Sequence, residues 1–402
     1  MDGKQLRRLK PELECFLERY AVHFGHAGNL GHARQLVHGL LDGSDRRNVE
    51  NIAEAVEGGV VRTLQKFISQ GAWEDRAVLG ELRSQVVEAI GDEDAVICVD
   101  ETGFPKKGTK SVGVKRQYSG ILGRVDNCQV AVFLNYVSRG EHVFLDRRLF
   151  LPEEWAADIP RREEAGVPDD VVFRTKPELA LGMVAEAVAA RVPFRWVTGD
   201  TVYGDSPTFV QGLRALKKWY VLDVSSEMRV WLRSPKRLRS GKAEERPIPV
   251  VEAMQRLPAK AWKKMTVAEG SQGPRVYEYA EMFVWFSEEG CPTPTFERLL
   301  FRRSIGQEAE VKFQRSNAPL QIKLPRLAEV GGSRWTIEQD FQAGKGECGL
   351  DEYETRGWVG WHHHTALSML ALLFLVLQRQ RLGKKRTSDD RSRSACRVEA
   401  FA

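Results

Sequence analysis

Three acidic residues carry the most chemical information in this 402-residue chain. Asp100 follows the apolar run Ala95-Val-Ile-Cys-Val99, and Asp200 follows a second short run, Arg195-Trp-Val-Thr-Gly199. Glu338 lies in a helical segment, Arg334-Trp-Thr-Ile-Glu-Gln-Asp-Phe341. Two strand-end carboxylates and one from a helix can hold a pair of divalent cations roughly 3.5–4 Å apart. One cation activates the attacking oxygen of a phosphodiester reaction, and the other stabilises the leaving oxygen. Oxygen-only ligands suit Mg²⁺ or Mn²⁺, two ions in all, and give zinc no preference. Metal-dependent cutting and joining of DNA is the chemistry such a set suggests.

The elements that would position these acids can be read from hydrophobic period. Extended runs are expected at Ala95–Val99, Cys128–Val137 and His142–Leu151, followed by a helix over Pro177–Arg191. A strand ending at Asp200, a helix from about Pro207 to Lys217 and a strand over Tyr220–Val224 complete the set. The order βββαβαβ is the ribonuclease-H-like arrangement. Its first and fourth strands are central parallel neighbours, so carboxylates at their ends converge. The expected class is therefore α/β, a ribonuclease-H-like mixed sheet flanked by helices.

On the last helix, Arg334 lies four residues before Glu338 and Lys345 seven after. At about 100° per residue, all three fall within roughly 40° of one direction and share a face. The two cations could then contact backbone phosphates on either side of a scissile bond. An Arg/Glu pair at this spacing is also common surface decoration. Lys106, Lys107 and Lys110 follow Asp100 in a glycine-containing loop, Lys115 and Arg116 come soon after, and all five are candidate phosphate contacts; a solvated loop is the alternative. Tyr203 is a candidate DNA contact beside the second aspartate, with packing in the turn as the simpler role. Glu101 and Asp205, beside the proposed ligands, could support them from behind, with a solvent-facing role as the simpler reading. In His362-His-His364, one ring is expected to be buried and the others exposed, since consecutive helical residues diverge too far to share an ion. Trp335 and Trp358 should wedge the helix of Glu338 against the sheet.

Residues 1–92 read as a helical N-terminal domain that would bind DNA. Val78, Leu82, Val86 and Ile90 fall on one helical face, and segments Arg46–Glu57 and Val60–Ser69 flank Gly58-Gly59, with Ser44 or Asp45 as N-cap. These two form either a helix-turn-helix or part of a bundle packed on the next domain. Residues 93–225 and 331–378 make the catalytic core, 226–330 a β-rich insertion, and 379–402 a basic disordered tail. Within the insertion, Arg229, Arg233, Lys236, Arg237, Arg239 and Lys242 surround Trp231, a second basic stretch that suits DNA or solvent equally. Net charge is +5 with pI near 8.8, which permits a nucleic-acid partner without demanding one. The six cysteines are scattered, which argues against zinc knuckles and disulfides. The apolar stretch Ala366–Leu377 is about half a membrane span and reads as a buried core helix.

Several motifs together resemble insertion-sequence transposases of the DDE superfamily, in the group with a Y-x2-R-x3-E-x6-K signature. Arg334, Glu338 and Lys345 match it, and Gly331 stands where the tyrosine would be, so that contact is lost or supplied elsewhere. Further matching stretches are Asp100-Glu-Thr-Gly-Phe-Pro-Lys-Lys-Gly108, Val114-Lys-Arg-Gln-Tyr-Ser-Gly120, Asn127-Cys-Gln129, Gly199-Asp-Thr-Val-Tyr-Gly204 and Gly349-Leu-Asp-Glu-Tyr-Glu-Thr-Arg-Gly-Trp358. The resemblance implies Asp100, Asp200 and Glu338 as the metal-binding triad. It also implies double-stranded DNA partners (terminal inverted repeats and target), a homodimeric synaptic complex, and a cytoplasmic, nucleoid-associated bacterial protein. Two rivals remain at this level: a domesticated DNA-binding regulator, and a standalone structure-specific nuclease with the same core.

Overall fold

The computed structural model describes residues 3–42, 46–120, 123–236, 238, 243–270, 273–306 and 310–386. Five helices open the chain: α1 (Gly3–Glu18), α2 (Ala27–Leu41), α3 (Val49–Ala55), α4 (Val61–Gln70) and α5 (Asp75–Ile90). Four strands follow, β1 (Val96–Pro105), β2 (Lys115–Ser119), β3 (Arg124–Ser138) and β4 (Glu141–Leu149). Helices α6 (Glu153–Ala157), α7 (Ile159–Ala165) and α8 (Lys176–Ala189) lead to β5 (Trp196–Gly199). Next come α9 (Thr201–Gly204), α10 (Pro207–Ala215) and β6 (Trp219–Val224). The stretch beyond holds β7 (Arg229–Trp231), β8 (Ile248–Pro249), α11 (Val250–Gln255), β9 (Lys263–Gly270), β10 (Gly273–Glu288), β11 (Cys291–Pro292), β12 (Glu297–Ser304) and β13 (Val311–Ser316). Helices α12 (Leu324–Ser333), α13 (Trp335–Cys348) and α14 (Trp358–Arg386) close the chain.

The core strands run β4-β3-β1-β5-β6, with β1 antiparallel to β3 and parallel to β5, and β5 parallel to β6. This is the ribonuclease-H-like order, with helices on both faces. The later strands extend the same sheet, since β13 pairs with β6 and β12 and β10 follow, and they pack around a second apolar core that includes Val250, Val284, Phe286 and Phe301. Helix α12 also begins inside the 226–330 stretch and returns to the core strands.

Local chemistry accounts for the element ends near the site. Thr175 caps α8 reciprocally with Glu178, which satisfies amide groups left open by the first turn. Asn48 caps α3 by accepting from Asn51 N at 2.9 Å, while Ser44 and Asp45 lie outside the described residues. Val78, Leu82, Val86 and Ile90 are buried, as their spacing requires. They share one apolar core with the sheet and with α14, whose stretch Ala366–Phe374 is almost entirely enclosed. By length and composition α14 could cross a membrane, but the protein itself covers it.

The first helices are fastened to the end of α13. Arg47 donates its backbone amide to Glu352 Oε2 at 2.6 Å and its guanidinium to Gly346 O at 2.9 Å. All three histidines of 362–364 are buried, which corrects the expectation of two exposed rings. His363 meets Ile68 O and Trp73 O, each at 2.9 Å, and stacks on Trp73 at 3.7 Å. A helix enclosed on all sides buries every residue, whichever way it points.

Candidate active site

Strand β1 alternates its side chains between two faces, and that alternation organises the site. Cys98, Asp100, Thr102 and Phe104 face α12 and α13. Cys98 Sγ donates to Ser333 O, Asp100 meets Arg334, Thr102 accepts from Lys345, and Phe104 lies 5.1 Å below the Lys345 ammonium. Glu101 points to the opposite face, toward α8 and α9. The strand runs five residues past Asp100, but β5 accompanies it only as far as Val99, opposite Gly199. Asp100 and Asp200 are therefore the first residues beyond the parallel pairing. Asp200 does not continue a strand; it caps α9, accepting from Val202 N at 2.9 Å.

Glu338 reaches the same place from α13. Arg334 joins it to Asp100: Nη1 is 3.0 Å from Asp100 Oδ2, and Nη2 is 3.1 Å from Glu338 Oε1. Its Nε lies 3.8 Å from a fourth acid, Asp223 on β6. Asp223 is nearly buried and accepts from Gln314 Nε2 at 2.8 Å. Sequence reasoning passed over it inside an apolar strand; its signal is a lone acid one position past the residue paired with Gly199.

Electrostatics mark both aspartates. Burial pushes Asp100 up to about 7, against the pull of Arg334. Burial, with the neighbouring Glu101, raises Asp200 to about 6. Each is a carboxylate whose ionised form lacks enough positive charge nearby. Among the described residues, no three His, Cys, Asp or Glu side chains are gathered tightly enough, as they stand, to hold a metal ion. The Arg334 guanidinium lies between Asp100 and Glu338 instead.

The cations expected around the site fall into distinct groups. Lys345 Nζ is held by Thr102 Oγ1 at 2.9 Å and Gly103 O at 3.1 Å, and burial lowers it to about 8. Lys106 is enclosed similarly, donating to Tyr353 O at 3.0 Å over that ring, and is also lowered to about 8. Lys110 pairs with Glu164 and Lys115 with Glu154. Lys107 and Arg116 are exposed. Tyr203 is placed differently from a DNA contact: it is fully buried and donates to Glu101 Oε2 at 2.7 Å, so its hydroxyl is committed inside the protein. Glu101 is correspondingly not solvent-facing, since it also accepts from Lys176 at 2.7 Å. Asp205 accepts from Ser225 N at 3.1 Å. Trp335 meets Arg275 of β10, whose guanidinium lies 3.5 Å from the ring centroid. Trp231 is buried, and Arg237, Arg239 and Lys242 lie outside the described residues.

The position of the signature tyrosine has a steric explanation. A Cβ on Gly331 would stand 2.7 Å from Gln314 Nε2, so a side chain fits there only if that amide leaves its bond to Asp223.

Residues 19–274 match the family described as DDE superfamily endonuclease. The chain belongs to that family. The match contains Asp100 and Asp200 and ends before Glu338. Over 190 residues the chain is 30% identical to the probable transposase for insertion sequence element IS701 of Microchaete diplosiphon, covering 47% of each protein. It thus spans about half the length of that curated relative. A cryo-EM structure of the piggyBac transposase synaptic complex with hairpin DNA aligns with a TM-score of 0.38 and 12% identity, over 82% of this chain and 56% of that one.

Proposed function

We propose that this DDE-family protein is a transposase, in which Asp100, Asp200 and Glu338 hold two Mg²⁺ or Mn²⁺ ions and cut DNA at the ends of an insertion sequence. The observation that carries the reading is the meeting of Asp100 and Glu338 on one guanidinium, at the point where the parallel strands bearing Asp100 and Asp200 part. The donor types suit the ions once the Arg334 guanidinium gives way between Asp100 and Glu338. All donors are oxygens, and two of the acids are raised by burial, so a divalent cation would stabilise their ionised forms. When bound, such ions activate the attacking oxygen and stabilise the leaving one.

The residues of the chain supply positioning and charge. Asp100, inside β1, and Asp200, at the N-cap of α9, would present oxygens just beyond the last β1–β5 pair, and Glu338 would close the set from α13. Lys107, just past the end of β1, and Arg116, on β2, are exposed and suited to backbone phosphates, a contact that carries no sequence information. Arg334, at the N-cap of α13, and Lys345 within it would exchange their present protein partners for phosphates on either side of the cut. Helices α1 to α5 are assigned to binding the terminal inverted repeats. Strand transfer into target DNA, a homodimeric synaptic complex and a cytoplasmic, nucleoid-associated location complete the reading.

The test is to incubate the purified protein and Mg²⁺ with the ends of its own element and map the 3′ termini. Asp100→Asn, Asp200→Asn and Glu338→Gln should each abolish cutting while DNA binding persists. Strand cleavage by any of the three in Mg²⁺ would overturn the assignment.

A further inference from the structure

Behind the two aspartates, on the face of β1 turned away from α13, three side chains join the segments that carry them. Tyr203, three residues past Asp200, donates its hydroxyl to Glu101 Oε2 at 2.7 Å. Glu101 is the residue directly after Asp100. Its other oxygen accepts from Lys176 Nζ at 2.7 Å, which brings in the first turn of α8. One carboxylate therefore ties together the strand of Asp100, the turn of Asp200 and a flanking helix.

The parts of this tie are themselves held. The Tyr203 ring is fully buried and packs on Phe209 at 5.5 Å. Gly199 lies under the ring, where an added Cβ would come within 3.2 Å of it. The next residue, Gly204, passes so close to β6 that an added Cβ would overlap Asp223 O. The ring is wedged in place, so the Tyr203–Glu101 bond holds the α9 turn to β1 just past the last β1–β5 pair. β5 ends at Gly199, and no ladder hydrogen bond between β1 and β5 does this beyond that point.

We propose that Tyr203 and Glu101, with Lys176 as counter-charge, form a strap that fixes the separation of Asp100 and Asp200 and thereby tunes divalent-cation affinity. The proposal rests on the metal-centre reading above and gives Tyr203 and Glu101 positioning roles. A hydrogen bond to a charged group stabilises only while both partners are in place. Relaxing it lets the aspartates drift from the spacing a cation selects.

The test is Mn²⁺ binding to the full-length chain, followed by the electron paramagnetic resonance signal of free Mn²⁺, with unfolding midpoints recorded in parallel. Asp100→Asn serves as the reference for loss of the centre. Tyr203→Phe keeps the ring, so its midpoint should stay near that of the parent, while its Mn²⁺ dissociation constant rises about tenfold. Glu101→Ala should weaken binding similarly, and the double variant no further, because both remove one shared bond. Cleavage by Tyr203→Phe should return to the parental rate at saturating Mn²⁺, which a misfolded centre would not do. Tight parental binding with Tyr203→Phe unchanged, or effects that multiply in the double variant, would overturn the strap alone. A parent that binds no Mn²⁺, or Asp100→Asn binding as well as the parent, would overturn the metal centre and the strap with it. If Tyr203→Phe folds poorly, Glu101→Ala carries the same comparison, since its side chain lies outside the apolar core.

Discussion

Arg334 Nη1 stands 3.0 Å from Asp100 Oδ2, and the same guanidinium also reaches Glu338. One side chain thus neutralises two of the three acids assigned to the centre. With chelator present, Arg334→Ala should destabilise the protein by about 1–3 kcal/mol at pH 8, since it leaves a nearly buried carboxylate unpaired. The cost should shrink at pH 6, where Asp100 can take a proton instead. Urea denaturation at the two pH values measures both.

The raised aspartates also set a pH dependence. Their folded values, about 7 and about 6, lie above the ordinary carboxylate value of 3.8. The stability they contribute is complete below that ordinary value and is lost as pH rises through 6 and 7. Added Mg²⁺ or Mn²⁺ should therefore raise the unfolding midpoint more at pH 8 than at pH 5.5, and Asp100→Asn should flatten the difference. An equal shift at both pH values would contradict it.

The later strands depend on a buried charge network. Arg315 and Arg214 share Glu288 and Glu297, with Arg315 Nη2 2.8 Å from Glu288 and 3.0 Å from Glu297, while Tyr220 donates to Glu297 at 2.8 Å. Arg315 and Glu297 are almost wholly enclosed. Glu297→Ala should cost about 3–5 kcal/mol, because it strands buried positive charge. Chemical denaturation would show this as a lower midpoint at unchanged slope.

Gly331→Tyr would restore the signature residue in sequence but not in space. Gln314 occupies the volume, so the variant should lose about 3 kcal/mol or more, and Gly331→Ala about 1–3 kcal/mol. Thermal unfolding of the two variants tests this ordering.

The residues that were legible from sequence are those whose neighbours obey one period. Asp100 and Asp200 follow apolar runs, and the βββαβαβ order placed them side by side. The extension of β1 through Glu101-Thr-Gly-Phe-Pro105 was not legible, because it mixes polar, glycine and proline residues; pairing with β3 alone sustains it. β2, with Lys115 and Arg116 in it, lacks an apolar face and was read as loop. Glu101 looked solvent-facing because its partners, Tyr203 and Lys176, lie 102 and 75 residues away along the chain and become neighbours only on folding. Gln314 and Asp223 were missed for the same reason: their meeting depends on β13 joining β6, a long-range pairing no local pattern announces. Burial of all three histidines needed the N-terminal helices packed around α14.

Because β13 bonds directly to β6, and β12 and β10 follow without a break, no flexible joint separates the outer strands from Asp223. A substitution that disrupts the pairing of β10 with β12 would therefore be felt at Asp223 through one unbroken ladder of backbone hydrogen bonds.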